Sequence, residues 1–197
     1  MDRPLIVGLG GTTRPSSTSE RALRGCLSVA GGLGVRTEMF GADALDLPLY
    51  GSAGCMNHPK AARLLAALRE ADAVVLSSPA YHGALSGLLK NALDYVEELR
   101  EDERPYLDMR AVGCIACAYG SQAIGTTLIS MRLVVHALRG WPTPLGVGIN
   151  SSQLSLDESG RCSVTDINVQ LEALARQVAD FAKMRSAFSH RQLCAAE

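Results

Sequence analysis

Strand patterns alternate with helical patterns along the whole of this 197-residue sequence. Continuously apolar runs, such as residues 73–78 and 111–118, are typical of parallel strands that are covered on both faces. The sequence therefore predicts an α/β fold, a doubly wound five-stranded parallel sheet with helices on both faces. The predicted strands are residues 5–10, 35–40, 73–78, 111–118 and 145–149. The predicted helices are residues 19–30, 60–70, 84–99, 124–138 and a last helix beginning near Thr165.

Composition and charge narrow the classes of protein to which this chain can belong. With 47% hydrophobic residues and a formal net charge of −1, the chain can bury one core and has no basic stripe for a nucleic acid. No apolar run approaches the ~18 residues of a membrane span, and the first residues do not resemble a signal peptide. We therefore expect a single domain over residues 1–186, a frayed tail over 187–197, a cytoplasmic location, and neither nucleic-acid nor membrane partners.

The six cysteines are spaced too unevenly to predict a disulfide framework. Cys114 and Cys117 match a C-x-x-C pattern, but they lie in a predicted strand, where residues three apart face opposite sides of the sheet. The two thiols are therefore not expected to share a bridge or a metal ion. We predict buried packing for these side chains, and no metal site.

The loop after the first predicted strand combines glycines, hydroxyl residues and one arginine. Open parallel sheets bind ligands beyond the carboxyl ends of their strands, and the N-termini of helices favour anions there. The hydroxyl donors are Thr12, Ser17, Thr18 and Ser19. Arg14 adds a planar, charged donor that suits a phosphate. An ordinary helix cap is the alternative interpretation, but a cap needs fewer hydroxyls than this loop contains.

The same loop lacks the motifs of larger nucleotides. It has no lysine of a G-x-x-x-x-G-K-[ST] loop, and Gly8-x-Gly10-x-x-Thr13 lacks the third glycine of a dinucleotide fingerprint. A G-x-S-x-G hydrolase elbow is also absent from the sequence. These absences favour a ligand with one terminal phosphate.

The loop after the third predicted strand reads SPAYHG. Pro79 lacks an N–H and Gly83 permits close backbone approach, so this turn can press backbone donors and the Tyr81 ring against a flat ligand. A plain turn with Tyr81 half-buried is the alternative. His82 is the candidate acid or base, although a lone histidine in a loop is more often a surface residue.

Three segments resemble the NAD(P)H-dependent FMN reductase family, which has the flavodoxin-like fold. The first is GGTTRPSSTSERAL, similar to the family's Gly-Ser, Arg and Ser residues at a helix start. The second is SSPAYHGALSGLLKNALDYV, close to the family's Pro-x-Tyr-x-Gly and the Leu-Lys-Asn-x-Leu-Asp helix after it. The third is AYGSQ, after the fourth predicted strand. Their order and spacing fit the family over residues 3–150.

The resemblance implies FMN as the cofactor and assigns residues to it. Arg14, Ser17 and Ser19 would hold the phosphate, and Thr12 stands where the family often has serine. The residues that would border the isoalloxazine ring and ribityl chain are Pro79, Ala80, Tyr81, His82 and Gly83. Those that would flank the pyrimidine side of the ring are Tyr119, Gly120 and Ser121. Ala80 and His82 stand where many members have Glu and Asn.

The implied activity is that of an NAD(P)H-dependent FMN reductase, with NADPH or NADH as the electron donor. Electrons would pass to a quinone, azo compound, metal oxyanion or oxygen, or reduced FMN would serve a flavin-dependent monooxygenase. No catalytic side chain is required, because the flavin does the chemistry. The resemblance also implies a homodimer or homotetramer, with residues 85–96 and 124–138 as the contact helices.

Two other functions stay open from the sequence. The first is an FMN-binding electron-transfer protein without NAD(P)H turnover. Carriers of that kind tend to be strongly acidic, whereas the net charge here is −1. The second is a flavodoxin-like subunit that has lost FMN and only oligomerises.

Overall fold

The computed structural model describes residues 3–194 of the chain. The strands are β1 (Leu5–Gly10), β2 (Arg36–Phe40), β3 (Ala73–Pro79), β4 (Ala111–Ala118) and β5 (Trp141–Asn150). The helices are α1 (Thr18–Gly32), α2 (Pro59–Glu70), α3 (Gly87–Asp94), α4 (Ser121–Ala137) and α5 (Thr165–Cys194). Strands and helices alternate as predicted.

The five strands form one parallel sheet in the order β2-β1-β3-β4-β5. The predicted flavodoxin-like, doubly wound fold is therefore confirmed. Because the chain runs outward from β1 in one direction and from β3 in the other, the strand order reverses between these two strands. The register pairs Gly10 with Ser77, so β1 and β3 end side by side at the position where such sheets open a crevice.

Two apolar layers cover the sheet, one on each face. Val7 and Leu9 of β1 pack into the layer beneath α2 and α3, whereas Ile6 packs into the layer beneath α1 and α5. Cys114 and Cys117 likewise belong to opposite layers, which confirms that their thiols face away from each other. The described cysteines are buried and unbridged, and they are Cys26, Cys55, Cys114, Cys117 and Cys162.

Strand β5 is longer than predicted, since it begins at Trp141 rather than at residue 145. Pro142 and Pro144 are the reason for the short prediction, because proline lacks the N–H that a central strand needs. β5 lies at the edge of the sheet, where this loss is tolerated, and the register with β4 shifts between Val112 and Cys114.

The helix predicted over residues 84–99 is divided in the structure. Ser86 caps α3 by accepting a hydrogen bond from the Leu89 N–H at 3.2 Å, so the helix begins only at Gly87. After Asp94 the backbone tightens into a 3₁₀ helix. The residues before the cap instead form a turn that borders the cleft described below.

Helix α5 extends to Cys194, and residues 195–197 lie outside the described residues. The single domain over 1–186 and the frayed tail over 187–197 stay predictions. Within residues 3–194, no helix is both long enough and apolar enough to cross a membrane.

Candidate functional site

A cleft of about 140 Å³ opens at the carboxyl ends of β1, β3 and β4. It lies at the reversal of strand order, where ligands bind in open α/β sheets. Its lining residues are Thr12, Arg14, Ser17, Thr18, Ser19, Pro79, Ala80, Tyr81, Cys117, Ala118, Tyr119 and Ser151. The structure thus brings parts of all three predicted loops together along one groove.

One end of the cleft is formed by residues 11–17, which we call the hydroxyl loop. The Gly11 N–H donates to the Ser77 carbonyl at 2.7 Å, which ties the loop to β3 as soon as β1 ends. The buried Thr12 hydroxyl then accepts from the Arg14 N–H at 3.1 Å, so the backbone turns back toward the cleft. The Arg14 side chain is exposed at the rim.

Helix α1 starts against this loop with its N-terminus directed at the cleft. Ser17 is the N-cap, and its hydroxyl accepts from the Glu20 N–H at 3.3 Å. The hydroxyls of Ser17 and Ser19 lie 3.2 Å apart. The N–H groups of Thr18 and Ser19 belong to the first turn, so they have no carbonyl partner within the helix. Free N–H groups and the positive end of the helix dipole give this end of the cleft the chemistry that favours an anion.

Two buried serines of β3 hold the neighbouring segments in place. The Ser77 hydroxyl donates to the Ser19 carbonyl at 2.7 Å, which joins β3 to the first turn of α1. The Ser78 hydroxyl accepts from the Ser86 N–H at 2.9 Å and donates to the Pro79 carbonyl at 2.8 Å. Because both serines are fully buried, these bonds fix the relative positions of the loops on either side of the crevice.

The other end of the cleft is bordered by Tyr81, the first residue of a turn over residues 81–84 that we call the Tyr81 turn. The Ala84 N–H donates to the Tyr81 carbonyl at 3.1 Å, and both central residues have positive φ, 54° at His82 and 83° at Gly83. This is the type I′ geometry, for which Asn-Gly is the favoured sequence. A Cβ atom at Gly83 would lie 3.0 Å from Thr126 Oγ1, so glycine suits both the conformation and the packing against α4.

Some of the predicted site residues lie outside the cleft. His82, Gly83 and Gly120 line a separate cavity of about 520 Å³ beside the start of α4. Ser121 is the first residue of α4 and is exposed. The chain turns at His82 and Gly83, directly after Tyr81, so these neighbours in sequence line different cavities.

The sequence prediction missed three residues that line the cleft: Cys117, Ala118 and Ser151. Ser151 follows β5, and its N–H donates to the Ala118 carbonyl at 2.8 Å. The rule that ligands lie at the carboxyl ends of strands, applied also to β5, would have indicated it.

Cys117 is the only cysteine that lines the cleft among the described residues, and it is not a nucleophile there. Burial raises the pKa of its thiol to about 12, so the sulfur stays protonated at neutral pH. Among the side chains that the structure describes, residues 3–188, no group of three or more His, Cys, Asp or Glu is arranged to hold a metal ion.

The fold and the cleft together define a flavodoxin-like α/β protein with a cleft at the switch point of its sheet. The family model of the NADPH-dependent FMN reductases matches residues 4–153, and the chain belongs to this family.

The most informative curated relative is the FMN-dependent NADPH-azoreductase of Staphylococcus aureus (strain USA300). It is 33% identical over 103 residues, which make up 52% of this chain and 51% of the relative. The match therefore spans about half the length of the curated relative.

Two solved structures illustrate the likeness of the fold. The flavoenzyme NAD(P)H:(acceptor) oxidoreductase FerB from Paracoccus denitrificans has a TM-score of 0.68 and 21% identity, covering 92% of this chain and 98% of FerB. The flavodoxin, WrbA-like protein from Agrobacterium tumefaciens has a TM-score of 0.60 and 19% identity, covering 93% of this chain and 99% of the WrbA-like protein. At these identities the likeness concerns the fold alone.

Proposed function

We propose that this chain is an NAD(P)H-dependent FMN reductase whose FMN lies in the cleft, with its phosphate on the hydroxyl loop. The observation that carries the proposal is the convergence of donors at one end of the cleft. The hydroxyls of Ser17 and Ser19, the free N–H groups of the first turn of α1 and the Arg14 guanidinium border the same space.

The charges around the hydroxyl loop fit a single phosphate group. Arg14 is the cation at its rim, which suits a monophosphate better than a longer phosphate chain. The nearby carboxylate of Glu20 accepts from Arg24 Nη2 at 3.1 Å and from the Ser16 N–H at 3.1 Å, so its charge opposes an anion less than an unpaired carboxylate would. The residues present therefore fit the phosphate of FMN.

The open end of the cleft fits a planar ring system. Bound FMN supplies the hydride-accepting chemistry of the reaction. Tyr81 and Tyr119 border the space in which its rings would lie, and both side chains are accessible to a second molecule. Helix α4 begins directly after Tyr119, and its N-cap Gly120 has no side chain that could cap the first N–H groups. The N–H groups at that helix start favour negative charge on a ring placed there.

The partners proposed for the chain are a small-molecule electron acceptor or a flavin-dependent monooxygenase. An azo compound is one candidate acceptor, since the name of the Staphylococcus relative describes an azoreductase. We also propose a cytoplasmic homodimer or homotetramer. Ile129 and Leu133 of α4 support the assembly, because they are 60% and 64% exposed and would be buried between subunits.

The purified protein tests this proposal directly. We expect it to bind FMN, visible as a perturbed flavin absorption spectrum, and to oxidise NADPH or NADH when FMN and a quinone or azo dye are added. FMN binding without oxidation of either nucleotide would favour an electron-transfer protein. A colourless protein that ignores added FMN would favour a subunit that only oligomerises.

The Arg14→Ala variant tests the position of the phosphate. Loss of a charged donor should weaken FMN binding about tenfold, because a hydrogen bond to a charged group contributes about 1.5 kcal/mol. Riboflavin, which lacks the phosphate, should bind the wild type and Arg14→Ala equally in a fluorescence titration. Arg100→Ala is the matched control, since it removes the same charge from an exposed pair with Glu97. Unchanged FMN affinity in Arg14→Ala would contradict the assignment.

A further inference from the structure

The segment after β5 returns to the hydroxyl loop and places Glu158 beside it. We propose that Glu158 is a positioning residue for phosphate binding: it holds Ser16, and through Ser16 the backbone that presents Arg14 and Ser17. The inference rests on the proposed function of the cleft. It adds a residue that lies beyond the 4–153 segment matched by the family model.

Glu158 is carried by a short, internally bonded hairpin, residues 156–162. Leu156 and Cys162 form an antiparallel bridge at its base. At its tip the Asp157 carboxylate accepts from the Ser159 N–H at 2.9 Å and from the Arg161 N–H at 3.0 Å. These bonds give the hairpin one defined shape, so Glu158 projects from a preorganised turn.

Two glycines fix the hairpin against helix α1. A Cβ atom on Gly160 would lie 2.2 Å from the Arg21 carbonyl oxygen, and one on Gly25 would lie 2.6 Å from the Gly160 carbonyl oxygen. No side chain fits between the two backbones at this point. Arg21 adds a bond from its Nη1 to the Leu156 carbonyl at 2.8 Å. The hairpin therefore has one closely defined position on α1.

Ser16 is held from two sides in a conformation that serine rarely adopts. Its φ is 55°, in the left-handed region, which persists only where surrounding contacts maintain it. Its N–H donates to Glu20 Oε2 at 3.1 Å, and its hydroxyl donates to Glu158 Oε2 at 3.1 Å. Because Ser16 immediately precedes the N-cap Ser17, these two bonds determine where the loop meets the helix.

The arginines of α1 complete the arrangement. Glu158 forms an ion pair with Arg21, and Arg24 Nη1 donates to the Glu158 carbonyl at 3.0 Å. The Glu158 side chain is 71% exposed, so this pairing contributes little to global stability. The role of Glu158 is therefore confined to the hydroxyl loop and the start of α1.

A positioning role of Glu158 and a purely electrostatic role predict opposite effects of its removal on the affinity for phosphate. Removing Glu158 takes a negative charge away from the site and frees Arg21, which would by charge alone strengthen the binding of a phosphate. If Glu158 positions Ser16, its removal weakens phosphate binding instead.

The experiment measures the dissociation constants of FMN and riboflavin for Glu158→Ala. We expect FMN to bind about three- to tenfold more weakly, the size typical of a lost hydrogen bond, with riboflavin unchanged. Glu158→Gln, which keeps an acceptor oxygen for Ser16, should restore most of the FMN affinity. Glu172→Ala is the matched control, because it removes the same charge and an exposed pair with Arg176. An FMN affinity that is unchanged or higher in Glu158→Ala would overturn the inference.

Two further measurements separate this inference from the proposed function. In the flavin-free protein, Glu158→Ala should speed amide hydrogen exchange in residues 13–17 and leave the Tyr81 turn unchanged. In a Ser16→Ala background, Glu158→Ala should change FMN affinity by less than about twofold, because the two residues act as a unit. Wild-type protein that binds no FMN contradicts the proposed function, and the exchange experiment then decides the inference alone: unchanged exchange overturns it.

Discussion

The two ends of the cleft are built differently. At the hydroxyl loop and the first turn of α1, Thr12 and Ser19 are each 2% exposed, and the buried Ser77 hydroxyl joins that turn to β3. At the other end, Tyr81 is 50% exposed and Tyr119 is 77% exposed. A preorganised end of this kind favours tight binding of one fixed group, whereas an open end leaves a planar surface accessible to a second molecule. Under the proposed function, anchoring of the phosphate and hydride transfer would therefore occur at different ends of the same groove.

The largest expected effect concerns the packing beneath the hydroxyl loop. A Cβ atom at Gly11 would lie 2.7 Å from Ser86 Oγ and 2.9 Å from Leu89 Cβ. Because both neighbours are buried, Gly11→Ala should lower the free energy of unfolding by about 1–3 kcal/mol, measured by urea denaturation. Gly31→Ala is the control, since nothing lies within 4 Å of its added Cβ, and it should be neutral or slightly stabilising. Equal stability of the two variants would contradict the close packing beneath the hydroxyl loop.

A smaller effect is expected from Cys117, which lines the cleft. Burial raises the pKa of its thiol from 9.0 to about 12. Below pH 9 the thiol is protonated in both states, but between pH 9 and 12 only the unfolded chain loses the proton. The free energy of unfolding should therefore fall with rising pH, by about 1 kcal/mol between pH 9 and 10 for this one thiol.

The variant Cys117→Ala isolates that contribution. Its unfolding free energy should fall less steeply than that of the wild type above pH 9, while the two pH dependences match below pH 8. Urea denaturation at a series of pH values measures both slopes. Parallel curves above pH 9 would mean that the thiol is ionised in the folded protein.

The smallest effect on stability is expected at the open end. Tyr81→Ala should change the free energy of unfolding by less than about 0.5 kcal/mol, because the side chain is half-exposed. It should weaken the binding of FMN and of riboflavin about threefold each, since a lost stacking contact contributes about 0.5–1.5 kcal/mol and does not involve the phosphate. Tyr81→Phe retains the ring and should bind both flavins as the wild type does. If Tyr81→Ala lost affinity for FMN but not for riboflavin, the assignment of the phosphate to the hydroxyl loop would be contradicted.

Much of the fold could be predicted because its signals are local. Apolar runs such as β4 and the periodic spacing in α4 indicate their own structure, and the alternation of strands with helices leaves few topologies other than a parallel sheet. The errors occurred where tertiary position overrides local preference. β5 includes prolines because it lies at the sheet edge, and the buried Ser86 delays the start of α3.

The candidate site was predictable only in part. The hydroxyl loop could be read from its composition, because a helix start, hydroxyls and an arginine occur within a few consecutive residues. The placement of His82 in a separate cavity could not be predicted from the sequence, since it depends on the backbone conformation of a two-residue turn. Ser151 joins the cleft only because β5 pairs with β4.

The amino-acid order by itself determined the alternating elements, the two-sided burial of the sheet and the donor-rich loop, because each of these arises from neighbouring residues. Tertiary structure alone decided that Glu158 contacts Ser16 across a separation of 142 residues. It also decided that Gly25 and Gly160 bring two backbones together. Such contacts depend on how the strands are ordered and on where the chain returns after β5, and no local pattern in the sequence encodes either.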